Sequence, residues 1–226
     1  MTNRYVIKFS KNGYVKYTSH LDLLRIFKRA FKKTGLGLRY SQGFNPHPKM
    51  GFAQPLSLGY AGKNELIEFE INEPASEESI LEKMQREMPD GIELIECKSL
   101  GPDVKSLASI ADSALYKIWI PTDKDEVELK SQLADYLAQE KILAMKRQKK
   151  TKKLQEMDIK HMIRSCEISK LGEFAMIEAL LDCGSKSNCS PELVISTFCE
   201  FAGIDTPRHE IEVEREKIFF TNNLQL

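Results

Sequence analysis

The sequence predicts an α+β fold in which a β-α-β-β-α-β order occurs twice, and three observations carry that expectation. Short alternating, β-branched or aromatic runs mark strands. Runs with apolar residues every three or four positions mark helices. The succession of these signals over residues 4–97 returns over residues 115–220. With 226 residues, 42% of them hydrophobic, the chain can bury one large core or two small ones.

In the first half, Tyr5-Val-Ile-Lys-Phe9 reads as a strand. Ser19 is placed as a helix N-cap with Asp22 three residues on. Leu21, Leu24, Phe27 and Phe31 recur at helical spacing until Gly35 and Gly37 end the helix. Its polar side holds Arg25, Lys28, Arg29, Lys32 and Lys33. Leu38-Arg-Tyr40 is a short extended run. Residues 41–49 hold a glycine and two prolines and therefore form a shaped loop, whose path Gly43, Asn45, Pro46 and Pro48 are expected to set. Residues 65–71 alternate charged and apolar, residues 76–88 carry the helical set Ile80, Leu81, Met84 and Met88, and residues 92–97 close with a strand. Strand, helix, strand, strand, helix, strand is the ferredoxin-like arrangement.

The second half starts with a strand at residues 115–120 and a helix at 125–138 with Val127, Leu129, Leu133 and Leu137 inside. A strand at 141–145 follows, then a hairpin of 166–171 and 173–181 around Gly172, a helix at 191–202 behind Ser190-Pro191, and a last strand at 210–220. The expectation is two tandem ferredoxin-like domains, residues 1–103 and 114–226. Between the second and third strands of the second domain lies Lys146-Arg-Gln-Lys-Lys-Thr-Lys-Lys153, six positive charges in eight residues. Such a finger suits a phosphate backbone.

Thirty-three Lys and Arg balance thirty-three Asp and Glu, but unevenly. Residues 1–50 hold eleven basic residues against Asp22, a net of +10, residues 51–140 hold eight against nineteen, and residues 141–226 hold fourteen against thirteen. Segregated charge can give a neutral protein a positive face that attracts polyanions, although a solvated surface accounts for any single run equally well. The five cysteines form no C-x-x-C pair, which argues against a disulfide framework or a structural zinc. No two of His20, His47, His161 and His209 are four residues apart, so neither a metal nor another cofactor is expected. Without a P-loop, a G-x-G-x-x-G or a G-x-S-x-G, nucleotide hydrolysis, dinucleotide binding and serine-hydrolase chemistry lack a carrier. The start has no signal-peptide core and no apolar run approaches about 18 residues, so a cytoplasmic protein without a membrane partner is expected.

Four residues could gather for chemistry: His20 and Asp22 at the helix start, His47 and Lys49 in the loop. An imidazole with a pKa of about 6.5 can move a proton at a ribose 2′-hydroxyl; His20 and Asp22 can equally serve the helix start alone. Tyr40, Phe44 and Phe52 could stack on unpaired bases or anchor the loop. Phe44, behind Gly43, suits exposure, and Phe52 suits the core. The basic helix lacks the acids that i, i+4 pairing would supply, which favours phosphates over solvent as its partner.

Tyr17-Thr-Ser-His-Leu-Asp-Leu-Leu-Arg25, Tyr40-Ser-Gln-Gly-Phe-Asn-Pro-His-Pro-Lys49 and Gly51-Phe-Ala-Gln-Pro-Leu-Ser-Leu-Gly59 closely resemble the radical SAM-linked protein family. The resemblance extends over essentially the whole chain, including residues 149–158. It implies a domain of unknown function found beside, or fused to the C-terminus of, a radical S-adenosylmethionine protein, often near genes for ribonuclease G and ribosomal proteins. This chain reads as the free-standing form. It has no C-x-x-x-C-x-x-C motif, so the radical would come from the partner.

The expected function is RNA recognition, of transfer or ribosomal RNA rather than DNA, as an accessory to a radical SAM protein in RNA modification or processing, with no activity of its own. The expected RNA contacts are Arg25, Lys28, Arg29, Lys32, Lys33, Phe44, Lys49, Lys146, Arg147, Lys149, Lys150, Lys152 and Lys153. The rivals are a metal-independent ribonuclease using His20, His47 and Lys49, and a protein-interaction module that docks through its acidic middle without RNA.

Overall fold

Where the sequence alternates, the backbone is extended. A computed structural model describes residues 3–147, 153–221, 224 and 226. Its first elements are β1 (Arg4–Lys11), α1 (His20–Thr34), β2 (Met50–Phe52), β3 (Ala61–Glu70), α2 (Glu77–Gln85), β4 (Ile92–Ser99) and the short α3 (Leu107–Ile110). Then come β5 (Ala111–Pro121), α4 (Glu126–Ala138), β6 (Leu143–Arg147), β7 (Leu154–Asp158), β8 (Ile163–Leu171), β9 (Phe174–Asp182), α5 (Pro191–Ala202) and β10 (Glu212–Phe220). The chain is a mixed α+β protein of two compact units, residues 1–111 with 217–226 and residues 112–216. The described residues from Lys217 onward group with the first unit, a return of the chain that its sequence does not announce.

In the first unit β1 is central. It pairs antiparallel with β3 on one side and with β4 on the other, and β2 pairs with β3. Alternation puts Tyr5, Ile7 and Phe9 of β1 and Ile67 and Phe69 of β3 into the core, where α1 lays Leu23, Phe27, Ala30 and Phe31 on them. Ser19 Oγ accepts the Asp22 N–H at 3.2 Å to start that helix, and Gly35 ends it at φ +72°. Two expectations are corrected. Leu21 is 61% exposed, and Leu23 takes the core position, because the core set 23, 27, 30, 31 follows the other phase permitted by Leu21, Leu23 and Leu24. The second strand is Met50–Phe52; residues 38 and 40 form only the isolated bridges Leu38–Ile71 and Tyr40–Pro48.

In the second unit β9 lies between β5 and β8, and β10 runs on the other side of β5. Lys117 Nζ on β5 accordingly reaches Glu216 on β10 at 3.2 Å and Glu178 on β9 at 3.9 Å. Asp125 caps α4 by accepting the Glu128 N–H at 2.8 Å, and the helix buries Leu129, Leu133 and Tyr136. Val127, expected inside, is 80% exposed because it sits in the first turn on the outer side. The strand expected at 141–145 is also corrected. Residues 143–147 form β6, which among the described residues pairs with β7 alone as a separate hairpin; Ala144 and the preceding Ile142 are buried, with α5 alongside.

Arg164 at the start of β8 ties this unit together. Its guanidinium donates to Asp182 Oδ1 at 2.7 Å, to the Asp112 carbonyl at 3.2 Å and to the Asp112 carboxylate. The hydrogen bond from Arg164 holds the Asp112 carboxyl below the usual carboxylate range. A carboxyl lowered in the folded state stabilises above its unfolded pKa of about 3.9 and loses that contribution as pH falls through the folded value. Thermal unfolding should therefore show Asp112→Asn melting below wild type at neutral pH, with the gap closing below about pH 4. A gap of equal size in acid would show that the ion pair is not its source.

Candidate nucleic-acid interface

The outward side of α1 is built by helical repetition. Arg25, Lys28, Arg29 and Lys32 stand at i, i+3, i+4 and i+7, one exposed stripe opposite Leu23, Phe27 and Phe31. Their partners differ. Arg25 Nη1 donates to Asp22 at 2.5 Å, and Lys33, just off the stripe, reaches Glu87 beyond α2 at 2.7 Å. Lys28 Nζ lies 5.9 Å from the centroid of the Tyr40 ring. Among the described residues Arg29 and Lys32 have no acidic partner. At its C-terminal end the stripe borders a groove of about 670 Å³ that Leu36, Leu38 and Tyr40 also line.

The loop of residues 41–47 is closed at its base. Beyond the Tyr40–Pro48 bridge, the Ser41 N–H donates to the His47 carbonyl at 2.8 Å and Ser41 Oγ accepts the His47 N–H at 2.9 Å. Gly43 takes φ +131°, which favours glycine, and puts Phe44 next to it fully into solvent. Ser41, unremarked in the sequence, closes the loop, while Asn45 and Pro46 are exposed. Glu70 holds the loop's stem, accepting from Lys49 Nζ at 3.0 Å and from Arg39 at 3.4 Å.

The four residues considered for proton transfer have separate surroundings. The His20 ring packs edge-on against Phe52 at 5.3 Å, and burial lowers its pKa by disfavouring the charged form. Asp22 accepts from the Ser19 hydroxyl and from Arg25, which lower its pKa. His47 is fixed through its backbone, and Lys49 faces Glu70. No hydrogen bond or ion pair among the described residues joins any two of the four. Phe52 is buried against Phe9 and Phe27.

A second cleft, of about 420 Å³, runs between Lys49 and Arg4. Its charges are already matched, Lys49 by Glu70 and Arg4 by Glu68. In the basic finger, Lys146 is exposed on β6, opposite Gln155 of β7, and Lys153 precedes β7. Arg147 pairs with Leu154 through its backbone. Lys149, Lys150 and Lys152 lie outside the described residues. Burial pushes the thiols of Cys97, Cys166 and Cys189 up to about 12, which leaves them unreactive near neutral pH. Among the described residues no group of three His, Cys, Asp or Glu side chains is placed to hold a metal ion, and no helix is long and apolar enough to cross a membrane.

A family model described as "Uncharacterized protein conserved in bacteria (DUF2344)" matches residues 4–191. No curated protein matches the chain. Among solved structures, a chain of a Cbf5-Nop10-Gar1 complex is similar to it at 10% identity and a TM-score of 0.51, over 95% of this chain and 48% of that one. The chain thus spans about half the length of the chain it matches, and the likeness is one of fold alone. An unknown protein from Galdieria sulphuraria aligns at 11% identity over 95% of this chain and 99% of its own, with a TM-score of 0.30.

Proposed function

The chain belongs to that family of uncharacterized proteins conserved in bacteria, and we propose that it is an RNA-recognition protein working beside a radical SAM enzyme that modifies or processes the bound RNA. One observation carries the RNA half of this reading: a four-cation stripe on α1 in which Arg29 and Lys32 have no acidic partner among the described residues. Like charges at i, i+3 and i+4 repel one another in the free protein, and phosphates would relieve that repulsion. The half-exposed Tyr40 beside the stripe, and the exposed Phe44 at the tip of the 41–47 loop, add surfaces on which bases stack. The partner half rests on the motifs at 17–25, 40–49 and 51–59 and on the lack of a C-x-x-x-C-x-x-C motif in this chain. The element order, with strand neighbours β4-β1-β3-β2 and β10-β5-β9-β8, supports reading the chain as two ferredoxin-like repeats.

The test is binding of purified protein to bulk transfer RNA over a range of salt, for wild type, Arg29→Glu/Lys32→Glu and Lys149→Glu/Lys150→Glu/Lys153→Glu. Wild type should lose affinity steeply with salt. The helix variant should bind more weakly, with a log–log slope shallower by about 0.7–0.9 for each phosphate contact removed. Equal binding by wild type and helix variant would overturn the reading, and the stripe would then be examined as a docking surface for the radical SAM protein.

A further inference from the structure

Resting on that RNA reading, we infer that the groove at the C-terminal end of α1 is a subsite for one unpaired nucleotide, so that the protein selects single-stranded or looped RNA over duplex. The construction of the groove is the reason. Its rim carries Lys28, Arg29 and Lys32, whereas its floor is apolar, made by Phe31, Leu36 and Leu38, all buried. Tyr40, 43% exposed, stands at its edge as an aromatic wall. Gly35, at φ +72°, turns the backbone out of the helix where it lines the groove.

A cationic rim alone would serve any polyanion, because duplex and single strand both present phosphates. The apolar floor and aromatic wall separate the two. In a duplex the faces of the bases are stacked within the helix, and the A-form exterior offers phosphates and 2′-hydroxyls, so it would cover the rim and leave Tyr40 without a base to stack on. An unpaired base can turn inward over this floor and lay its face against the exposed Tyr40 while its phosphate stays on Arg29 and Lys32. A volume of about 670 Å³ lies within the range of small-ligand pockets and accommodates one nucleotide rather than a folded partner.

The experiment compares a short fluorescein-labelled RNA single strand of mixed sequence with a blunt RNA duplex of equal length, by anisotropy at several salt concentrations. Wild type should bind the strand about ten-fold or more tighter than the duplex. Tyr40→Ala should lose about five-fold or more of its affinity for the strand, with an unchanged salt slope and little change for the duplex, and Tyr40→Phe should restore it. Arg29→Glu/Lys32→Glu should weaken both RNAs and flatten both slopes. Equal affinity for strand and duplex, or a Tyr40→Ala variant that binds the strand as wild type does, would overturn the subsite and leave charge-driven RNA binding standing. Failure of wild type to bind either RNA would overturn the RNA reading itself.

Discussion

Phe27→Ala should destabilise the protein by about 3–5 kcal/mol, on the order of 10 °C in Tm. Phe27 is fully buried on the inner side of α1, its ring 5.0 Å from Phe9 of β1 and 5.8 Å from Phe52 of β2. Phe9 and Phe52 are themselves 5.8 Å apart, so the three rings close a triangle in which each fills the space between the other two. Truncating one leaves a cavity whose walls belong to the sheet and cannot collapse freely, which adds a cavity cost to the lost transfer free energy. Leu21→Ala, on the same helix but largely exposed, should cost within about 0.5 kcal/mol. Urea unfolding followed by circular dichroism checks both. Equal losses would mean that α1 is seated differently from the arrangement described. The result bears on function because the apolar side of α1 is what holds Arg25, Lys28, Arg29 and Lys32 on one outward stripe.

What could be read from the sequence follows a physical division. The strand runs of β1, β3, β5 and β9 and the cap at Ser19 are local, and they are legible in a single stretch of chain. The phase of α1 is less so: Leu21, Leu23 and Leu24 allow two apolar stripes, and only contact with the sheet selects the one through Leu23 and Ala30. A strand's neighbour is less legible still. Nothing within residues 141–158 states that β6 pairs with β7 rather than joining β8 and β9. The cationic stripe of the candidate site was legible because it lies on one helix. The groove was not, because its floor comes from Leu36 and Leu38, which follow Gly35, and Leu38 reads as the start of an extended run rather than as the lining of a groove beside α1. Lys11 makes the same point. It sits in a strand like an ordinary surface lysine, yet it is 1% exposed and donates to the carbonyls of Lys16 and Thr18 at 3.2 and 3.1 Å, fixing the turn that leads into α1.

That turn also sets the second large effect, a loss of about 3 kcal/mol or more for Gly91→Ala. Gly91 precedes β4 at φ +92°, outside the range that residues with a Cβ adopt readily. A Cβ there would stand 2.6 Å from the Asn12 carbonyl oxygen and 3.1 Å from Val15 Cγ2. The first of these is backbone and cannot rotate away. The Asn12 N–H also donates to the Gly91 carbonyl at 2.8 Å, so relief of the clash by separating the two segments breaks a hydrogen bond between them. Gly172→Ala isolates the conformational part of the cost. Gly172 also has a positive φ, +57°, but its Cβ would meet nothing within 4 Å, so its replacement should cost only the roughly 1–2 kcal/mol of left-handed backbone. Denaturant midpoints for the two variants separate the contributions. If Gly91→Ala costs no more than Gly172→Ala, the close approach of residues 12 and 91 is not what requires glycine there. If it costs the larger amount, the segment between β1 and α1 is held from both ends, by Gly91 on its entry and by the buried Lys11 ammonium on its carbonyls, and the start of the cationic helix is positioned by contacts that no local sequence pattern encodes.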